Sequence, residues 1–340
     1  MIEMGSQARS AWVYSASMRH AERATRGVAG AAILGVGLIA LALSAGWLFG
    51  AVYDGRIAPR GCPGSCSSAA EAAPPSTPAA VSGSPTPAPT EPAGFPFISA
   101  LSISAIEGAC GAAIYSRDEH MRLPPASLTK LMTAAVATDR ASPQTMITAH
   151  VDSAKLYDDT GSTIMGLRPG MELSLLDLLY GLLLPSGNDA ALAIAEGVGG
   201  SQSAFVDLMN DKAESLALHD THFTNPHGLY ENDLYSSAHD MAILARYDMQ
   251  NETIRKIVSS VSWQPKWDGP PVWNGNRFIT EYAGADGVKI GYTEQSQQTI
   301  VASATRGGRR IIVAIMRSQD RYADSERLLD WAFAQASACP

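Results

Sequence analysis

Lysine is scarce in this chain, six residues against 19 arginines, so a lysine that falls in a chemical pattern carries information. Cysteine is scarcer still. Four cysteines among 340 residues cannot form a disulfide scaffold, and none has a spacing that reads as a zinc site. The chain also lacks a basic excess. A net charge of −8 argues against broad nucleic-acid binding, which depends on neutralising phosphates. Charged residues make up only 17% and hydrophobic ones 46%, which excludes disorder throughout and leaves ample apolar surface for a core. No internal repeat is visible.

Charge is missing altogether between Arg26 and Asp54, where residues 28–52 form an almost wholly apolar run. At ~1.5 Å rise per residue it is long enough for a hydrocarbon core of ~30 Å. The competing reading is a cleaved secretory signal, with an apolar core of roughly 7–15 residues and a small-residue cleavage site after it. This run is longer, and its Ala-x-Ala at Ala40–Ala42 lies inside it. We therefore read residues 27–53 as an uncleaved transmembrane anchor. Arg9, Arg19, Arg23 and Arg26 precede it, which leaves residues 1–26 in the cytoplasm and the rest of the chain outside the cell membrane, crossed once.

Ten of the twenty prolines lie in residues 59–96, mixed with Ala, Ser and Thr. Residues 54–96 read as an extended tether. Cys62 and Cys66 stand near its start, able to pair with each other, to pair across a dimer, or to remain a surface pair.

From residue 97 the texture becomes that of a packed domain running to residue 340. Residues 98–106 and 110–115 read as an antiparallel strand pair. Helices are expected over 127–139, 173–184, 188–198, 202–217, 238–247, 251–259 and 324–336. Strands return at 287–292, 298–305 and 310–317, with Gly307-Gly308 as a hairpin turn. Strands at both ends with helices between them suggest an α+β sandwich whose terminal strands share one sheet.

Three places carry chemistry. The first is Pro124-Pro125-Ala126-Ser127-Leu128-Thr129-Lys130. Positions i and i+3 neighbour each other on a helix face, so the Lys130 amine is within reach of the Ser127 hydroxyl. Lysine can activate serine only if burial or a second cation lowers its pKa. The bland reading is a surface serine beside a surface lysine. Against it, no other lysine here has a serine three residues earlier, and Leu128, Leu131 and Met132 suit a dry environment. The second place, Ser186-Gly187-Asn188-Asp189, is either a helix-stop turn with its cap or a loop presenting a hydroxyl and an amide to a cleft. The third, Asp286-Gly287-Val288-Lys289-Ile290-Gly291-Tyr292-Thr293, sets a lysine on a short strand between glycines. It is either an edge-strand lysine that blunts aggregation or the second cation that Lys130 requires.

In the order Ser-x-x-Lys, Ser-x-Asn, Lys-x-Gly, these motifs form a known set. The chain resembles the low-molecular-weight penicillin-binding proteins, the serine D-alanyl-D-alanine carboxypeptidases, over about residues 99–337. The separations fit that resemblance, 59 residues from Ser127 to Ser186 and 103 from there to Lys289. So do the flanks Phe223-Thr-Asn-Pro-His-Gly-Leu229 and Tyr235-Ser-Ser-Ala238. The resemblance implies a DD-peptidase/β-lactamase-like fold, an antiparallel sheet flanked by helices with a helical subdomain.

It further implies catalytic roles for Ser127, Lys130 and Ser186, and substrate contacts at Asn188, Lys289, Gly291, Tyr292 and Thr293. The backbone N–H groups of Ser127 and Tyr292 would form an oxyanion hole. The expected partners are a peptidoglycan stem peptide and β-lactam inhibitors, with no cofactor and no metal. One departure stands out: the family usually has threonine where this chain has Ile290, and that hydroxyl normally helps hold the substrate's terminal carboxylate. Thr293 and Arg277 are candidates to take over. The alternatives are a serine β-lactamase, whose common Glu-x-x-Asn motif is missing here, and a catalytically weak penicillin-binding sensor. His219, His222 and His227 would suit a metallohydrolase, but they read more simply as loop and core histidines around Asn225-Pro226. If the terminal elements adjoin, as in this family, Cys110 and Cys339 can pair outside the cell.

Overall fold

The computed structural model describes residues 91–339. The expected anchor at 27–53, the segment before it, most of the tether, and Cys62 and Cys66 lie outside the described residues. Among the described residues no helix is long and apolar enough to cross a membrane.

Five antiparallel strands form the main sheet: β1 (Ser102–Glu107), β2 (Ala113–Arg117), β7 (Ala285–Thr293), β8 (Gln297–Arg306) and β9 (Arg309–Ser318), in the order β2-β1-β9-β8-β7. The first and last strands of the chain thus meet in the middle, as the sequence suggested: Ile103 faces Ile315 and Ala105 faces Val313. Both faces of the sheet are covered, and its central strand β9 reads as a continuous apolar run over residues 311–316 rather than an alternating one. On β9, Ile311, Val313 and Ile315 pack with Leu328 and Leu329 of a C-terminal helix, while Ile312, Ala314 and Met316 face the larger helical core. That C-terminal helix, α9 (Arg321–Ala334), starts three residues earlier than its apolar pattern suggests. Asp320 caps it by accepting from the N–H groups of Tyr322 and Ala323.

At the centre of the helical side is α1 (Thr129–Arg140), buried from Thr129 to Ala137. Its alanines let neighbouring helices approach closely. Beside it pack α3 (Leu175–Leu183), α4 (Asn188–Gly199), α5 (Gln202–Ser215), α6 (Ala238–Asp248) and α7 (Glu252–Val258). The expected helix over 173–184 is shorter at its start. Residues Glu172–Ser174 form a short strand, β4, paired with β3 (Met146–Thr148), and the Ser174 hydroxyl caps α3. Besides β3 and β4, four elements were not legible in the sequence: α2 (Ser153–Thr160), α8 (Phe278–Glu281) and the paired two-residue strands β5 (Ser262–Trp263) and β6 (Val272–Trp273). Each is too short to show a period.

Residues 91–96, the end of the proline-rich stretch, lie along this domain. Phe95 stacks on Tyr115 with ring centroids 4.0 Å apart and meets the edge of Trp331. Cys110, in the β1–β2 turn, is disulfide-bonded to Cys339 after α9. Nearby, Glu107 pairs with Arg309 of β9 at 2.6 Å and accepts from the Ala338 N–H at 3.0 Å, which holds the segment after α9 to the end of β1. The disulfide joins residues 229 apart, a long loop whose closure removes much unfolded-chain entropy. We expect Cys110→Ser with Cys339→Ser to lower the melting temperature by about 5–10 °C. An unchanged calorimetric transition would show that the crosslink adds nothing to stability.

Candidate active site

Two prolines bring the chain to a tight turn. Ala126 adopts φ 51°, and a 3-10 turn (Ala126–Leu128) carries Ser127 directly into α1. The turn is held from two sides. Thr299 of β8 donates to the Pro125 carbonyl at 3.3 Å. Gly228, at φ 90°, lies so close to the Ala126 carbonyl that a Cβ there would fall 1.9 Å from its oxygen. Only glycine fits.

One helical turn on, the Lys130 amine is fully buried and has three oxygen neighbours: Ser127 Oγ at 3.1 Å, Asn188 Oδ1 at 2.7 Å and the His227 carbonyl at 2.6 Å. Burial first, and then the positive charge of Lys289, hold this amine well below its ordinary pKa; Asp189 opposes them. A neutral amine has two N–H bonds and one lone pair. The Asn188 and His227 oxygens are pure acceptors, so they consume both N–H bonds, and the lone pair is left facing the Ser127 hydroxyl. A weak nucleophile thereby gains an adjacent proton acceptor.

Asn188 stands at the start of α4. The preceding helix α3 ends at Leu183, Pro185 forbids its continuation, and Ser186 takes φ 67°, a conformation costly for a residue with a side chain. The Ser186 hydroxyl is buried and has no hydrogen-bond partner. Such a group is rare in a protein interior. Its own carbonyl accepts from the Thr163 hydroxyl at 2.7 Å, and the Asn188 N–H donates to the Thr163 carbonyl at 2.8 Å.

The third wall is β7, the edge strand of the sheet, which leaves alternate backbone groups unpaired along the cleft. Lys289 is 1% exposed and donates to the Ile290 carbonyl at 2.9 Å; burial and the nearby Arg321 bring its pKa down to about 7. A Cβ on Gly291 would lie 2.9 Å from the Ser127 nitrogen, so the strand passes directly beside the nucleophile's amide.

The structure therefore gathers Ser127, Lys130, Asn188 and Gly291 at one point, with Lys289 close enough to repel the Lys130 charge and Ser186 on the loop leading into Asn188. Tyr292 stands at the rim, 61% exposed. Thr293 is engaged elsewhere, its hydroxyl 2.9 Å from that of Ser296. Arg277 pairs with Glu281 and lies over the Tyr322 ring. Ile290, in place of a hydroxyl, is partly buried against the smaller apolar cluster of the sheet, the one that includes Ile300 and Ile315.

Sequence reasoning missed the His227 carbonyl, Asp189 and Arg321. Arg321 donates to the carbonyls of Gly291 at 2.7 Å and Thr299 at 3.2 Å, bracing β7 from behind. The flank from Phe223 to Leu229 was the available signal for His227. Asn225 folds that loop by accepting from the N–H groups of His227 and Gly228. His222 and His227 turn their Nδ1 atoms to backbone groups of the loop, and among the described residues no group of three or more His, Cys, Asp or Glu is arranged to hold a metal ion.

Comparison with known proteins places the chain in a family. The sequence profile of the D-alanyl-D-alanine carboxypeptidase family matches residues 88–320. The chain is 36% identical over 250 residues to D-alanyl-D-alanine carboxypeptidase DacF of Bacillus subtilis and 35% identical over 255 residues to DacA of Escherichia coli. These matches cover 71% of this chain in each case, and 64% and 62% of the relatives, so the chain spans less than two thirds of their length. Among solved structures, the Streptomyces K15 DD-transpeptidase superposes with a TM-score of 0.67 at 28% identity, covering 71% of this chain and 99% of that one. A D-alanyl-D-alanine carboxypeptidase from Mycobacterium tuberculosis superposes with a TM-score of 0.67 at 32% identity, covering 74% and 98%.

Proposed function

The chain belongs to the D-alanyl-D-alanine carboxypeptidase family, and from that premise we propose that it is a serine-type DD-carboxypeptidase acting on peptidoglycan stem peptides. The observation that carries the reading is the fully buried Lys130 amine, 3.1 Å from Ser127 Oγ. Ser127 Oγ attacks the carbonyl carbon of the penultimate D-alanine while Lys130 takes its proton. Backbone N–H groups of Ser127 and Tyr292 stabilise the oxyanion, a contribution often of a few kcal/mol. The C–N bond then breaks, and the proton returns to the departing D-alanine nitrogen through the Lys130–Ser186 side of the site. Asn188 and Lys289 hold the peptide. Water hydrolyses the acyl-enzyme and frees Ser127. A β-lactam, presenting a strained amide to the same serine, acylates it and remains.

The apolar run at 27–53 anchors the protein in the cell membrane, and the tether sets residues 97–340 outside. The Cys110–Cys339 disulfide suits an oxidising exterior. Recovery of the full chain in the soluble fraction would overturn this placement. The activity is tested by incubating the full chain with a muropeptide ending in D-Ala-D-Ala. Wild type is expected to release free D-alanine and Ser127→Ala to release none. Equal release by both, or release by neither, would defeat the assignment.

A further inference from the structure

Asp189 looks in the sequence like an ordinary helix-start residue, yet its carboxylate is fully buried and accepts five hydrogen bonds. Oδ1 takes the N–H groups of Met165 at 2.8 Å and Ala190 at 2.9 Å. Oδ2 takes those of Gly166 at 2.8 Å and Leu167 at 3.0 Å, together with the Ser153 hydroxyl at 2.5 Å. Among the described residues no cation pairs with it directly. Burying an unpaired anion is costly, and five donors are what make it tolerable here. Three of the donors are successive amides of one irregular segment, and that segment continues to Thr163, which bonds both Ser186 and Asn188. A single carboxylate thus straps a loop to the start of α4, and the loop in turn holds the strained Ser186 and the amide of Asn188.

We propose that Asp189 is a positioning residue for acylation: by clamping residues 165–167 to the start of α4 it keeps Ser186 and Asn188 set against Lys130. The inference rests on the proposed peptidase function. Asp189 also contributes charge. Around the Lys130 amine stand Lys289 from β7, Asp189 from α4 and His227 from the 223–229 loop. Burial and the nearby Lys130 charge lower the His227 pKa to about 3, so it stays neutral. Asp189 is therefore the group that favours a proton on Lys130.

The test is the rate of acylation of the full-length protein by a fluorescent penicillin across pH. Asp189→Asn keeps the side chain's shape but sets an N–H₂ against amide donors. Its acylation is expected to slow by about tenfold or more at neutral pH. The rise of rate with pH is expected to shift to lower pH, because Lys130 has lost the nearby negative charge. A merely structural role would loosen the site, admit water and move that rise the other way. Wild-type rate, or a shift to higher pH, overturns the inference. Should Asp189→Asn fail to fold, Thr163→Val tests the same strap while leaving the Asp189 bonds intact. It is expected to slow acylation several-fold with an unchanged melting temperature, and a wild-type rate would again overturn the inference. Wild type that takes up no penicillin removes the peptidase reading, and this inference with it.

Discussion

Replacing Lys130 with methionine is expected to lower the rate of Ser127 acylation by labelled penicillin about a thousand-fold or more, the scale of losing a positioned general base. Methionine fills a similar volume and suits a fully buried position, so the packing around α1 survives. Two acceptors, Asn188 Oδ1 and the His227 carbonyl, lose their donor, which costs roughly 1–3 kcal/mol for each group left unpaired. Removing a desolvated amine offsets part of that cost, so the variant should still unfold cooperatively. Loss of rate with a folded protein is then a statement about chemistry. The pH profile adds a second check. In wild type the rate should rise as Lys130 loses its proton, well below the usual lysine range, and fall as Lys289, held to about 7, loses its charge. The low-pH rise should vanish in Lys130→Met. Acylation within tenfold of wild type would mean that another group takes the serine proton.

The two lysines form an ordered pair. Each is buried, but Lys130 is repelled by Lys289, whereas Lys289 is repelled by Arg321 behind it. Positive charge on Lys289 therefore favours a neutral Lys130, while Arg321 weakens the hold of Lys289 on its own proton. Asp189 restrains the effect from the opposite side. The proton acceptor is tuned by charges on three different elements, which is why its surroundings matter as much as its spacing from Ser127.

Much of this site was legible because helix geometry makes an i, i+3 pair meaningful, and because lysine is rare enough in this chain for Lys130 and Lys289 to stand out. Pro185 announced the end of α3 and therefore the loop that bears Ser186. The alternation of apolar and small residues over 98–106 gave the first strand of the sheet, and the apolar run within 310–317 gave the strand it pairs with. What stayed hidden was carried by backbone or by distance. The His227 carbonyl has no side-chain signature. Asp189 reads as a cap until the three amides of residues 165–167 are brought to it by folding. Arg321, 32 residues beyond Lys289, gives no local sign that it braces β7. Short elements such as α2 lacked a period to detect.

A methyl group at residue 291 should be nearly as damaging as losing the lysine. Gly291 needs no left-handed conformation, so the objection to Gly291→Ala is purely one of space. The new Cβ would lie 2.6 Å from Thr299 Oγ1, 2.9 Å from the Ser127 nitrogen and 3.1 Å from Ala126 Cβ. Thr299 is committed to the Pro125 carbonyl, and the Ser127 turn is pinned by Gly228. The element free to yield is β7, an edge strand paired on one side only. Its retreat would draw the oxyanion-stabilising amides apart and carry Lys289, two residues away on the same face, off Lys130. We expect acylation to fall by about a hundred-fold or more, the scale of one lost oxyanion donor. Stability should drop by about 1–3 kcal/mol, as in other overpacked sites. The remaining rate should rise with pH only at higher values than in wild type, because Lys130 has lost its repelling neighbour. Gly275→Ala is the control. Its Cβ would meet nothing closer than the Leu184 carbonyl at 3.7 Å and Ile290 Cδ1 at 4.0 Å, so it should acylate at close to the wild-type rate. If Gly291→Ala matches that control, β7 does not set the geometry of the nucleophile.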